Sequence, residues 1–234
     1  MRHQSDPRVL NERTLEKDHK RLAAILRPGV SVLDVGCGTG AITRGIRALT
    51  GDAVGIDRDA TLVPNEDGFI VGDILEYEPG RQFDVVTAAR VLQWIASPER
   101  ALAKMVALTK PGGRVVVLDY AHERNLWEPE APASFQHFWR AFLRWREANG
   151  WDNSLADRLA AMFADAGLRD VVVTDDDELA SSALWPHVME SLGPVVVRDG
   201  FLTDLKLMAA REGMAAYTGV QHLALRTAIG VKAS

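Results

Sequence analysis

An α/β fold with a mainly parallel sheet is predicted by three features of this sequence. Short apolar runs alternate with amphipathic segments through the first half of the chain. A glycine-rich turn, "VLDVGCGTG" at 32–40, joins the first such run to a helical one. A second turn, "KPGG" at 110–113, leads into another apolar run, "RVVVLDY". The 234 residues, 47% hydrophobic and 25% charged, suffice for one large domain with a buried core.

The elements follow in order. "NERTLEKDHKRLAAIL" puts Leu15, Leu22, Ile25 and Leu26 on one helical face, with Asn11 as cap and Pro28-Gly29 as stop. "VSVLDV" is a short, mostly apolar run suited to a central parallel strand. "AITRGIRALTG" carries Ile42, Ile46 and Leu49 at helical spacing and ends at Gly51. "AVGID", "GFIVGD" and "FDVVTAA" read as strands two, three and four. Ser97-Pro98-Glu99 opens a helix bearing Leu102, Met105 and Val106. "RVVVLDY" is strand five.

Beyond Tyr120 the pattern changes. "AHERNLWEPEAPA" has two prolines and no period, so it reads as a loop. "SFQHFWRAFLRWREANG" is a helix with Phe135, Phe138, Phe142 and Trp145 on it. "NSLADRLAAMFADAGL" is another, with Ser154 and Asp157 spaced as a capping box. "RDVVVT" is strand six. "DDDELASSALWPHVMESLG" and "DGFLTDLKLMAAREGM" suggest helices inserted before a last strand, "QHLALRTAIGV".

Composition narrows the function classes. The formal net charge is −5 and no Lys/Arg run stands out, which argues against a nucleic-acid partner. Cys37 is the single cysteine, so neither an intramolecular disulfide nor a cysteine metal cluster is expected. No ordered carboxylate set suggests a metal site. No apolar run approaches the roughly 20 residues that span a bilayer, and the charged first segment lacks an apolar signal region. The expectation is a cytoplasmic protein with no membrane partner. No pattern encodes an oligomeric state.

The glycine turn carries the chemistry. Gly36, Gly38 and Gly40 sit where a strand passes into a helix, where missing Cβ atoms permit a tight turn and let a ligand reach backbone N–H groups. With Ala41 the turn also satisfies the dinucleotide pattern G-x-G-x-x-G/A. Asp57, ending strand two, could hold two ribose hydroxyls under either reading. Three features separate the readings: the turn-and-strand signature "KPGGRVVV" before strand five, and two acids. Asp34 would repel a pyrophosphate and attract a cationic amino-acid tail. Asp73, after strand three, could accept from an exocyclic adenine amine.

Taken in order, "VLDVGCGTG", "GIDRD", "VGDILE", "FDVVTAARVLQWIASPERAL" and "LTKPGGRVVVLDY" resemble class I S-adenosylmethionine-dependent methyltransferases. The likeness is greatest to the small-molecule branch that includes ubiquinone/menaquinone-biosynthesis methyltransferases. It is strong over 30–120 and elsewhere rests on layout. It implies an α/β, Rossmann-like, seven-stranded, mostly parallel sheet with an antiparallel last strand, helices on both faces and helical cap insertions. The division it implies is an N-terminal helical cap (1–29), a cofactor-binding core (30–120), an insertion (121–152), a helix and strand six (153–174), a helical lid (175–218) and the last strand (219–234).

The resemblance also implies S-adenosylmethionine as cofactor. Asp34, Gly36, Cys37, Gly38 and Gly40 would face its methionine part. Asp57 would bind the ribose and Arg58 would flank the adenine. Asp73 would accept from the adenine amine, with Ile74 beside the ring. Ala89 and Arg90 would line the reacting end.

Methyl transfer from a sulfonium is an in-line displacement, to which a protein contributes orientation, desolvation and sometimes a base. Strand four ends in "TAARV" and lacks the Asn/Asp-Pro-Pro-aromatic motif of methyltransferases acting on DNA bases or protein amines. A small organic acceptor is therefore expected. His122, just past strand five, is the candidate catalytic base, against the plainer reading of a capping loop histidine. Trp94 is either core or an aromatic wall against the sulfonium, and Trp127, Trp139 and Trp185 are either core or acceptor wall. Two other functions stay open: an NAD-dependent oxidoreductase using the same glycine turn, and a non-catalytic S-adenosylmethionine-binding protein.

Overall fold

The computed structural model describes residues 7–182 and 185–234. Positions 1–6 of the expected N-terminal cap (1–29) and 183–184 of the expected lid (175–218) lie outside the described residues. In chain order the elements begin with α1 (Pro7–Asn11), α2 (Leu15–Asp18), α3 (Lys20–Ile25), β1 (Ser31–Val35), α4 (Ala41–Thr50), β2 (Asp52–Asp57), β3 (Phe69–Val71) and β4 (Phe83–Ala89). They continue with α5 (Pro98–Leu108), β5 (Thr109–Tyr120), β6 (Leu126–Glu128), α6 (Ala133–Ala148), α7 (Leu155–Asp165) and β7 (Arg169–Asp175). The last are β8 (Glu178–Ser181), α8 (Trp185–Arg198), α9 (Asp204–Ala215), β9 (Val220–Leu223) and β10 (Leu225–Val231).

The main sheet has seven strands in the order β3-β2-β1-β4-β5-β10-β7. β10 runs antiparallel to both its neighbours, β5 and β7, and the other pairings are parallel. This is the expected Rossmann-like sheet with an antiparallel last strand. Every residue of β1 is buried, because its two faces serve two cores. Leu33 and Val35 pack with Leu102, Met105, Leu159 and Phe163 of α5 and α7. Val32 packs on the opposite side with Leu15, Leu22, Ile42 and Ile46. Of the three α4 positions expected inside, Leu49 is instead 41% exposed.

A third core belongs to the additions alone. Phe135, Phe138, Trp145, Trp185, Met189, Val196 and Leu207 join α6, α8 and α9. Most of the aromatic stripe is thus core, the ordinary use of an amphipathic face.

Several expectations change. The single N-terminal helix is three short ones. His19 sits between α2 and α3 at φ −148°, ψ 47°, and its buried ring meets the Thr87 hydroxyl through Nε2 at 2.8 Å. Thr14, not Asn11, provides a side-chain cap, to Lys17 N. The cap is not purely helical, since β6, β9 and β8 form a second, three-stranded sheet. Glu178–Ser181 was expected in a helix and is a strand, because tertiary pairing with β9 and the reach of Glu178 to Arg90 override weak local preference.

The last strand, 219–234 in expectation, is two. Ala224 breaks it, with its N–H on Asn125 Oδ1 and its carbonyl accepting from Ala121 N, so that β9 serves the small sheet and β10 the large one. The capping box at Ser154 does not form. Ser154 donates to Glu123 and Asp157 accepts from Arg124, tying α7 to the turn at His122–Arg124.

Candidate active site

A cavity of about 460 Å³ opens at the carboxyl ends of β1, β2, β4 and β5, where open α/β sheets bind ligands. Asp34, Gly36, Cys37, Gly38, Asp57, Arg58, Asp73, Ile74, Ala89, Arg90 and His122 all line it. Gly40 does not. It takes φ +78°, and a Cβ there would lie 2.6 Å from Phe69 Cζ, so this glycine makes room for β3.

The glycine turn differs from an anion nest. The N–H groups of Gly36 and Cys37 both donate to Ile56 O, that of Gly38 to Asp57 Oδ2 at 2.9 Å, and that of Gly40 to Cys37 O. Donors already engaged leave little for a pyrophosphate. What the turn offers is close approach, beside carboxylates. The remaining Asp57 oxygen accepts from Asp59 N, and Asp73 accepts from Leu75 N at 2.9 Å, so both acids are oriented by backbone.

Asp34 is buried and accepts from the Thr43 hydroxyl at 2.6 Å. Burial pushes its pKa up to about 7, against the opposing Thr43 bond and with help from the Asp57 charge. Burial likewise raises the Cys37 thiol, which therefore stays protonated and is no nucleophile.

Arg90 is neither a surface ion pair nor a free cofactor contact. It is 6% exposed, at φ +63°, and its guanidinium bonds both Glu178 oxygens at 3.0 Å and Asp18 O at 3.0 Å. It straps α2 and β8 to the end of β4, forming cavity wall as it does so.

Sequence reasoning missed Arg13. It lines the cavity, half-buried, and its guanidinium makes no hydrogen bond or ion pair to a described residue. Loss of water, then the Arg90 charge, holds it below the ordinary guanidinium value. No signal marked it, because "NERTLEKDHKR" reads as a solvated helix face.

Past β5 the wall turns aromatic, with Tyr120, Trp139, Phe142 and Trp185 in it. Trp94 also lines the cavity, whereas Trp127 packs in the cap core against Phe135 and Trp139. His122 is buried, stacks on Tyr120 at 4.9 Å and meets Gln93 Oε1 through Nε2 at 2.5 Å. An amide oxygen there requires Nε2 to carry the proton. Burial, then the Arg146 charge, lowers the His122 pKa well below its usual value, so the ring is neutral at physiological pH. Behind it Arg146, wholly buried, donates to Asn153 Oδ1 at 2.7 Å and to Gln93 O at 3.1 Å, and lies 4.1 Å from the Trp94 ring centre.

A family model described as "Methyltransferase domain" matches residues 3–173. The chain is 34% identical over 123 residues to the ubiquinone/menaquinone biosynthesis C-methyltransferase UbiE of Burkholderia vietnamiensis (strain G4 / LMG 22486), covering 45% of this chain and 48% of that protein. The Burkholderia cenocepacia (strain HI2424) protein of the same name is 33% identical over the same shares. The chain thus spans about half the length of the curated relatives it matches. Among solved structures, a Haloferax volcanii methyltransferase described as in complex with the activator Trm112 superposes with TM-score 0.59 at 18% identity, over 97% of this chain and 94% of that one. Haemonchus contortus phosphoethanolamine N-methyltransferase 2, in complex with S-adenosyl-L-methionine, gives TM-score 0.58 at 16% identity, over 92% of this chain and 53% of that one. At those identities the structures speak for the fold.

Proposed function

This chain belongs to the methyltransferase-domain family, of class I type, and on that premise we propose that it binds S-adenosylmethionine and methylates a small organic acceptor. The observation that carries the ligand is a pair of opposite charges in one cavity. Arg13 brings an unpartnered guanidinium and Asp34 a buried carboxyl. A zwitterionic amino-acid tail suits that pair, with its carboxylate on Arg13 and its ammonium toward Asp34. Asp57 would hold the ribose hydroxyls and Asp73 the adenine amine, with Ile74 against the ring. When bound, the cofactor supplies a methyl group already activated on a sulfonium. The chain's own contribution is positioning and exclusion of water by Tyr120, Trp139, Phe142 and Trp185. His122, held neutral with Nε2 on Gln93, is the group available to take a proton from a hydroxyl acceptor.

Calorimetry tests this reading. S-adenosylhomocysteine is expected to bind and NAD is not. Asp57→Ala should weaken S-adenosylhomocysteine binding by roughly 1.5–3 kcal/mol, the worth of hydrogen bonds to a charged group. Arg13→Met should weaken S-adenosylhomocysteine by a similar roughly 1.5–3 kcal/mol yet leave adenosine, which lacks the carboxylate, unaffected. Tight NAD binding without S-adenosylhomocysteine binding would sink the methyltransferase reading. Equal losses for both nucleosides would remove Arg13 from the carboxylate.

The same reading makes the N-terminal helices and α8 a roof. Val9, Leu10 and Arg13 cover one flank of the cavity, and Trp185, Val188 and Leu192 cover another. A roof must open to admit ligand, so it should be less stable than the sheet beneath it. Hydrogen exchange should be fast in α1–α3 and α8 and slowed by S-adenosylhomocysteine. β1 and β5 should be protected in both states. Protection that is uniform and indifferent to ligand would leave these helices as plain packing.

A further inference from the structure

The two edges of the main sheet differ. β3 closes one edge with three residues. β7 closes the other with seven, Arg169–Asp175, and among the described residues it pairs on one side only, with β10. Exposed edges are commonly blunted by a short strand, a lysine or a proline. β7 has none of these. Its middle is Val171-Val172-Val173, and Val172 is 59% and Val173 37% exposed. Its one irregularity is Asp170, at φ +50°, where β7 carries an extra residue against β10. From Val171 to Asp175 the outward backbone groups form an open ladder, a template for another strand.

The strand is complementary to itself. Run antiparallel about a two-fold axis at Val172, Val171 meets Val173 of a second copy, Asp170 meets its Thr174 and Arg169 meets its Asp175. Opposite charges then face each other at both ends, whereas an axis at Asp170 or Asp175 would set like charges together. Both ends are available. Arg169 is exposed and its guanidinium makes no bond to a described residue, and Asp175 is exposed with one oxygen on Arg226.

The helix beside this edge leaves room. α7 turns Leu155, Leu159 and Phe163 to the sheet and Arg158 toward Glu99 at the start of α5. α5 lies over β4 and β5, so the flank of α7 away from Arg158 looks past β7. At about 3.6 residues per turn that flank holds Ala160 and Ala164, both exposed. Neither side chain is long enough to hold a second sheet edge away.

We propose that β7 is a self-association edge, on which a second copy of this chain pairs antiparallel about Val172. The two main sheets then join into one, with the α7 flanks side by side. The occupant follows from charge: a foreign strand would need the pattern that this strand already supplies to itself. The inference is independent of what the cavity binds, since Arg169, Val172 and Asp175 do not line it.

Sedimentation equilibrium of the full chain tests this. A dimer dissociating at or below about 100 μM is expected. Val172→Lys, at an exposed position, should raise the dissociation constant at least about tenfold. Arg169→Asp and Asp175→Lys each place like charges across both ends and should each do the same. Mixed with one another, these two charge variants again face opposite charges at both ends, and the mixed dimer should return to within about threefold of the parent. Hydrogen exchange of Val171–Val173 should slow as protein concentration rises.

Circular dichroism and Tm report whether each variant is folded. If a charge variant fails to fold, Val172→Lys and the exchange measurement still decide. A chain that stays monomeric at about 1 mM would overturn the proposal. So would a dimer indifferent to Val172→Lys, folded charge variants that do not recover on mixing, or exchange in β7 that ignores concentration.

Discussion

Gly36→Ala is expected to destabilise the fold by roughly 2–5 kcal/mol, lowering Tm by roughly 5–15 °C for a chain of this size. Two separate causes contribute. Gly36 has φ +72°, a region an L-residue with a Cβ enters only with strain. A Cβ there would also lie 2.7 Å from Val91 Cγ1, inside contact distance. Val91 cannot retreat easily, because the segment after β4 runs on into the turn at Leu92–Trp94, where Leu92 is fully buried.

The two causes can be separated. Adding Val91→Ala to the variant removes the overlap and should recover about 1–3 kcal/mol, leaving the backbone share. Gly51→Ala is the matching control, since Gly51 has φ +85° with nothing within 4 Å of its would-be Cβ. It should show the backbone share alone. Thermal denaturation of the four proteins settles the matter, and a Gly36→Ala Tm within a degree or two of the parent would mean the turn tolerates another path.

That turn is also where the sequence was most legible. Its glycines announced positive φ, and Gly36, Gly38 and Gly40 all have it. The main sheet was legible for a related reason. Parallel strands buried on both faces read as continuous apolar runs, and β1 and β4 are such runs, flanked by turns. The purpose of each glycine was less legible. Gly40 accommodates the Phe69 ring rather than a ligand, which depends on how β3 lies.

The acceptor side was opaque because its signals are long-range. β6 and β8 have three and four residues, too few for a period, and exist through pairing with β9 from far along the chain. Arg13 sits in a charged segment that becomes cavity wall only because α1 folds over the glycine turn, where Leu10 Cδ1 would lie 3.0 Å from a Cβ on Gly38.

The buried acids Asp34 and Asp119 should make the ligand-free protein less stable as pH rises from about 4 to about 7, against the opposite pull of the buried neutral His19 and His122, and S-adenosylhomocysteine affinity should rise over the upper part of that window. Two buried acids set the first effect. Burial raises Asp34 and Asp119 each to about 7, although backbone N–H groups of Tyr120 and Gln93 oppose it at Asp119. In the unfolded chain an aspartate titrates near about 3.9. Between those values each folded acid holds more of a proton than its unfolded counterpart, so its contribution to stability declines with pH, whereas His19, held down to about 3 by burial, and His122 bind fewer protons when folded and contribute in the opposite sense. The loss is absent below about pH 4 and complete a little above pH 7, at about 4 kcal/mol per group.

The two acids part company when ligand binds. Asp34 lines the cavity, and Asp119 is fully buried behind it on Gln93 N and Tyr120 N. An ammonium beside Asp34 favours its carboxylate, so binding below about pH 7 must expel that proton. Affinity then climbs by up to about tenfold per pH unit and levels off above about pH 7. Calorimetry at about pH 6 in two buffers of different ionisation enthalpy should report close to one proton released. Asn at position 34 can still accept from Thr43, so Asp34→Asn should fold, abolish the proton release and flatten the affinity profile. It should also raise the pH slope of stability between about pH 4 and about pH 7 by the Asp34 share, because the Asp119, His19 and His122 shares persist. An affinity independent of pH in the unmodified protein would place the cationic end of the ligand away from Asp34, and with it the orientation proposed for the amino-acid tail.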